Sequence, residues 1–160
     1  MVEVTSQIKL DQAQGEIKAR ARDVDQSEAY SWENVALLKD AGFMGMTIPK
    51  AYGGAGRSFL DAVLVIEEMA QCCGAAGRIT VEANMGAISA IMAYGTEEQK
   101  KFAAEFPLSG DKPAICITEP GAGSAAAEMT TRLKRAIEVY ALDRERLLIV
   151  ATDRLSAFDV

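Results

Sequence analysis

A mainly α fold followed by a short β segment is what this sequence of 160 residues predicts, and three observations carry it. Through residue 113, apolar residues recur at three- and four-residue spacing, the period of a helix with a buried face. Gly42, Gly74, Gly95 and the pairs Ser58/Asp61 and Thr96/Gln99 cut that pattern into lengths of one helix each. At Ala114 the period falls to two, and the run to Thr118 breaks on Pro120-Gly-Ala-Gly-Ser124.

Residues 7–22 read as an amphipathic helix with Ile8, Ala13, Ile17 and Ala21 near one face. The acid-rich stretch from Asp23 to Tyr30 reads as a connection. Ser31 stands where an N-cap belongs, Trp32, Val35, Leu37 and Leu38 supply an apolar stripe, and Gly42 closes this helix. Phe43 to Gly56 contains Gly45, Gly53, Gly54, Gly56 and Pro49 and reads as a structured loop.

Ser58 begins the next helix, with Asp61 as its acidic partner in the first turn. Leu60, Val63, Leu64, Ile66 and Met69 are apolar on more than one face, which predicts a largely buried helix ended by Gly74. Arg78 to Tyr94 reads as one helix of small residues and methionines, in which Ala83, Gly86, Ala87 and Ala90 permit close approach. Gly95 terminates it. Thr96-Glu-Glu-Gln99 is a capping box for a helix through Glu105, and Ser109-Gly110-Asp111 turns the chain into the strand.

Composition narrows the function. The chain is 49% hydrophobic and 25% charged, ordinary for a globular domain, and its net charge of −6 is spread along the sequence. A general nucleic-acid binder would show a basic stripe instead. No apolar run approaches the ~18 residues that cross a bilayer, and no signal-peptide core opens the chain, so a cytoplasmic protein is expected. There is no histidine, which removes His-based nucleophilic triads and His-ligated metals. Cys72, Cys73 and Cys116 have no framework spacing and are expected as reduced, buried thiols; no metal site is predicted.

The residues left to carry chemistry are those of Ile115-Cys-Ile-Thr-Glu-Pro-Gly-Ala-Gly-Ser124. A strand that breaks into a loop without large side chains lets backbone N–H groups approach a flat or anionic ligand. Taken alone, such a loop is more often just a turn. Three other stretches travel with it: Ala41 to Gly56, Leu64-Val-Ile-Glu-Glu-Met69 and Tyr94-Gly-Thr-Glu-Glu-Gln-Lys100.

In this order and spacing the four segments resemble the acyl-CoA dehydrogenase family, over approximately residues 10–131. The resemblance implies an N-terminal helical bundle over residues 1–113 and the start of a flavin-contacting β domain over 114–131, with FAD and an acyl-CoA thioester as ligands. It places Ile115, Cys116, Ile117, Thr118, Gly123 and Ser124 at the cofactor, with Thr118 bonding the isoalloxazine and Ser124 contacting the acyl-CoA. Family members commonly carry an aspartate after that serine, where this chain has Ala125. The family's later Trp-x-Thr segment, C-terminal bundle and catalytic glutamate have no counterpart here. Glu67, Glu68 and Glu82 are expected to be solvated or ion-paired, so no catalytic residue is assigned.

From residue 132 the pattern changes. Ala136 to Leu142 reads as a short strand or helix end, Asp143 to Arg146 as a charged turn, and Leu147 to Ala151 as a buried strand, together a hairpin. Arg146 to Asp159 resembles the N-terminal lobe of phosphoribosylaminoimidazole-succinocarboxamide synthase, a purine-biosynthesis ligase. That resemblance implies Asp153, Arg154, Ser156 and Asp159 as residues of an active-site loop, and a chain that is a fragment or a chimera. Three functions are therefore in play: a fragment of a flavin-dependent acyl-CoA dehydrogenase, inactive alone; a fragment of the ATP-dependent ligase; or a non-catalytic helical module that self-associates through exposed apolar faces.

Overall fold

The computed structural model describes residues 2–112, 115, 120–128, 133–136 and 139–142. Two compact units emerge, residues 1–113 and 114–160. The first is all helix: α1 (Val2–Ser27), α2 (Trp32–Ala41), α3 (Phe59–Cys72), α4 (Gly74–Asn84), α5 (Ala87–Tyr94) and α6 (Glu97–Ser109). The predicted mainly α class is what is found.

Ile17 of α1, Leu38 of α2, Met69 of α3 and Ala76, Ile79 and Ala83 of α4 meet in the larger core, joined by Phe43, Met44 and Met46 from the loop after α2. Ile48, Ile88, Ala103 and Ala104 form a second core, flanked by Tyr52, Ile91 and Leu108. α1 packs on α2, α3 and α4, α3 lies along α4, and α5 lies on α6.

Several boundaries differ from the sequence reading. α1 continues through Asp23–Ser27, where Val24 packs against the larger core and no glycine or proline intervenes. It ends at Glu28, whose φ of 53° lies in the left-handed region that turns a chain. Ser31 occupies the N-cap of α2 but its side chain accepts no capping bond. Gly42 does close α2: at φ 80° it donates to the Lys39 carbonyl at 2.8 Å, and Phe43 donates to Leu38 at 2.8 Å.

Gly74 does not end α3. The helix stops at Cys72, and Cys73 serves both neighbours, donating its N–H to Met69 while its carbonyl accepts from Gly77 in α4. The two helices then fold back closely, since a Cβ on Gly77 would stand 2.7 Å from the Ala70 Cβ. Nor is α3 largely buried. Only Ala62 and Met69 are enclosed, and Phe59, Leu60, Val63 and Leu64 are exposed, because α1 and α4 cover one side of the helix alone.

Arg78–Tyr94 is two helices rather than one. At the break the Asn84 carbonyl accepts from the hydroxyls of Thr47 and Ser89, taking it out of the helical ladder. Both capping boxes form as expected, Ser58 with Asp61 and Thr96 with Gln99. α6 runs beyond Glu105 to Ser109. Pro107 falls in its last turn, where its missing N–H costs one bond, and Gly110 at φ 97° seals the end.

In the second unit the described residues comprise a 3₁₀ turn, Ala126–Glu128, and an antiparallel hairpin of β1 (Leu133–Ala136) and β2 (Val139–Leu142). Leu133 pairs with Leu142 and Ala136 with Val139, so the chain reverses within the stretch expected to be one strand or helix end. The anticipated strands Ala114–Thr118 and Leu147–Ala151, the turn 143–146 and the residues Asp153, Arg154, Ser156 and Asp159 lie outside the described residues.

Candidate functional site

The glycine-bearing loop between α2 and α3 is held by its own backbone hydrogen bonds. Ile48 sits fully buried beneath it, and the loop laces over that side chain: Gly56 donates to Ile48 at 2.9 Å and Arg57 to Met46 at 2.8 Å. Gly54 is obligatory, because a Cβ there would collide with the Ile48 carbonyl. Lys50–Tyr52 makes one 3₁₀ turn, and the Tyr52 hydroxyl donates to Glu97 at 2.8 Å, tying the loop to the first turn of α6.

Asn84 fixes this loop to α4. Its amide nitrogen donates to the carbonyls of Phe43 at 2.8 Å and Thr80 at 2.9 Å, while its oxygen accepts from the Met46 N–H at 2.6 Å. The side chain is fully buried, and these bonds satisfy both its N–H donors and one acceptor site of its oxygen. The sequence offered a signal that was missed: an asparagine two residues before a glycine, inside a supposed helix, marks a break.

A second polar device ends the helical unit. The Lys112 ammonium lies 2.9 Å from a Glu82 oxygen and 4.9 Å from the centroid of the Tyr30 ring, with its side chain only 6% exposed. Arg78, one turn earlier on α4, also pairs with Glu82. Burial works to lower the Lys112 pKa, but Tyr30 and Glu82 outweigh it and hold the value above the usual lysine range. Burial likewise works to raise Glu82, and Lys112 and Arg78 overcome it, so the carboxylate titrates below its ordinary range. Glu82 is thus ion-paired as expected, and Glu68 accepts a 2.6 Å bond from Gln14. An open groove of about 690 Å³ runs between α1 and the α3–α4 junction, with Cys72 and Cys73 in its wall and Arg22, Asp25 and Glu28 beside them. Both thiols are free, Cys73 buried and Cys72 half-buried.

Of the residues expected at a cofactor, Ile115, Gly123 and Ser124 are exposed, whereas Cys116, Ile117 and Thr118 lie outside the described residues. Among the described residues nothing stands within 4 Å of where a Cβ would project from Gly121 or Gly123. Gly121, Gly123 and Ser124 are all exposed. No helix among the described residues is long and apolar enough to cross a membrane.

Known proteins resemble the chain throughout this framework. The family model described as acyl-CoA dehydrogenase, N-terminal domain, matches residues 10–106. The 3-sulfinopropanoyl-CoA desulfinase of Cupriavidus necator is 63% identical over 139 residues, covering 87% of this chain and 35% of the relative. A short-chain-specific acyl-CoA dehydrogenase of Clostridium acetobutylicum is 31% identical over 148 residues, 92% of this chain and 39% of its own length. Among solved structures, an acyl-CoA dehydrogenase from Bacillus anthracis in complex with FAD superposes with a TM-score of 0.73 at 28% identity, covering 90% of this chain and 25% of that one. The chain therefore spans well under half the length of the curated relatives it matches. The likeness of residues 132–160 to the purine ligase, and with it the ligase and chimera readings, finds no support in these relatives. A helical bundle of this order, four family segments in sequence and a family match over residues 10–106 lead to one conclusion: the chain belongs to the acyl-CoA dehydrogenase family.

Proposed function

We propose that the chain is the amino-terminal portion of a flavin-dependent enzyme of the cytoplasm acting on an acyl-CoA thioester. In this reading residues 1–113 are the helical domain, 114–131 open the flavin-contacting β domain, and 132–160 continue beyond it. Ile115, Cys116, Ile117, Thr118, Gly123 and Ser124 hold FAD, with Thr118 hydrogen-bonding the isoalloxazine and Ser124 shared with the acyl-CoA. The flavin supplies the redox capacity when bound. This chain's part is to present backbone N–H groups and two hydroxyls on a loop without bulk.

The observation that carries the substrate class is the contrast in identity, 63% to a desulfinase acting on 3-sulfinopropanoyl-CoA against 31% to a short-chain acyl-CoA dehydrogenase. It favours a short, sulfinate-bearing acyl-CoA over a plain saturated one. Alone, the chain is inactive and self-associates through its exposed apolar side chains.

The test joins this chain to the remainder of the Cupriavidus necator relative in place of the matched stretch. Flavin absorbance in the purified protein and turnover of 3-sulfinopropanoyl-CoA in preference to butanoyl-CoA are the expected results. A colourless protein removes the flavin reading, and preference for butanoyl-CoA removes the desulfinase reading.

A further inference from the structure

Cys72 and Cys73 are neighbours in sequence, both are free, and no part of the function proposed above uses them. Both stand in the wall of the open groove of about 690 Å³ between α1 and the α3–α4 junction. Cys72 is half-buried there, whereas Cys73 is 8% exposed and belongs to the larger core. A thiol that solvent reaches, with a second thiol beside it, is the arrangement of a redox-responsive pair, the first reacting and the second resolving.

The backbone dictates what closing that pair does to the fold. Consecutive Cα atoms are held about 3.8 Å apart across a trans peptide, whereas disulfides usually span about 4.4–6.8 Å. Joining the two sulfurs therefore twists the peptide group between them. That group carries the Cys73 N–H, which donates to the Met69 carbonyl at 2.9 Å and caps the end of α3. On its other side the Cys73 carbonyl accepts from Gly77 of α4 at 3.0 Å, so the Met69 bond is the one that gives. There is room for the movement: among the described residues nothing stands within 4 Å of where a Cβ would project from Gly74. A disulfide strained in this way is easily reduced, which makes it a labile bond rather than a structural one.

We infer that Cys72 and Cys73 form a reversible thiol–disulfide switch whose co-reactant is a low-molecular-weight disulfide, and that closing it unfastens the end of α3. The Cys72 thiolate attacks one sulfur of the small disulfide, forming a mixed disulfide and releasing one small thiol. The Cys73 thiolate then attacks the Cys72 sulfur, closing the ring and releasing the second. Two electrons pass from the pair to the small disulfide, whose two sulfurs take up the two thiol protons. An excess of the small thiol runs the same steps backwards. The inference goes beyond the acyl-CoA reading and stands without it.

The test equilibrates the 160-residue chain in buffers of rising oxidised-to-reduced glutathione ratio, blocks the remaining thiols with iodoacetamide and digests with trypsin. Residues 58–78 make one tryptic peptide that holds both cysteines and excludes Cys116. At high ratio this peptide is unalkylated and lighter by two hydrogens than its reduced form, and dithiothreitol restores it. In the intact oxidised chain, hydrogen exchange at the Cys73 amide quickens at least about tenfold, while the Phe43 amide, bonded to Leu38 in the same core, keeps its rate. Cys72→Ser keeps slow exchange at Cys73 in every buffer. A glutathionyl group that persists on the peptide overturns the inference, as does a link to Cys116 or to a second copy, or a peptide that stays reduced at every ratio. Ring closure with no change at the Cys73 amide overturns it too, because the end of α3 is then not fastened through that bond. Equal quickening in Cys72→Ser has the same force, since no ring can form there.

Discussion

The α4 side of the helical unit and the outer side of α3 are built from similar apolar residues, yet one is sealed and the other bare. On the α4 side Ala76, Ile79 and Ala83 are enclosed in the larger core, and Asn84 meets the Met46 N–H and the carbonyls of Phe43 and Thr80. On the outer side of α3 comparable side chains, Phe59, Leu60, Val63 and Leu64, stand about half exposed. The difference teaches that apolar content does not say where stability resides; enclosure does.

Asn84→Ala attacks the sealed side hardest. It strands the Met46 N–H and the carbonyls of Phe43 and Thr80 in a buried setting, and we expect a loss of about 3 kcal/mol in denaturant unfolding. A loss below ~1 kcal/mol would show that the loop does not depend on this side chain.

Lys112→Met probes the pair at the end of the helical unit. Glu82 keeps Arg78 and some solvent, so the expected loss is about 1–2 kcal/mol, less than for a fully enclosed pair. The pH response has a defined direction. Glu82 is depressed, so its contribution is complete above about pH 5 and disappears as pH falls through its folded value. Lys112 is raised, so its contribution is complete below about pH 10 and disappears as pH climbs through its folded value. Stability measured against pH in the wild type and Lys112→Met therefore converges at both extremes, and parallel curves would contradict the pairing.

Thr96→Ala removes the side-chain acceptor for the Gln99 N–H at the start of α6, with an expected cost of about 1 kcal/mol in thermal or denaturant melts. Leu60→Asp should change the stability of the 160-residue chain by no more than about 0.5 kcal/mol, while its concentration-dependent association weakens. A large loss of stability from Leu60→Asp would mean that the bare side is not bare.

Element type was legible from the sequence wherever one local signal decided it. The boxes at Ser58 and Thr96 and the left-handed Gly42 each act within four residues, and each stands where the pattern put it. What was illegible depended on contacts far along the chain. Asn84 breaks a helix because residues 37 to 41 positions away need its polar atoms. Cys73 displaces Gly74 as the joint because α3 and α4 share its two backbone groups. The burial predicted for α3 was a correct reading of pattern but not of this chain's own contacts. Of the candidate site, the order of the family segments was readable, whereas Lys112 passed unnoticed because nothing beside it in sequence announces Glu82 or Tyr30.

The lone tryptophan gives the joint at Lys112 an optical reporter. Trp32 stands edge-on to Tyr30, ring centroids 4.6 Å apart, and Tyr30 in turn lies beneath the lysine ammonium. Any event that lifts Lys112 from that ring alters the surroundings of the indole's nearest aromatic neighbour. Emission from an unlabelled sample can therefore follow, in real time, whether Lys112 stays docked on that ring.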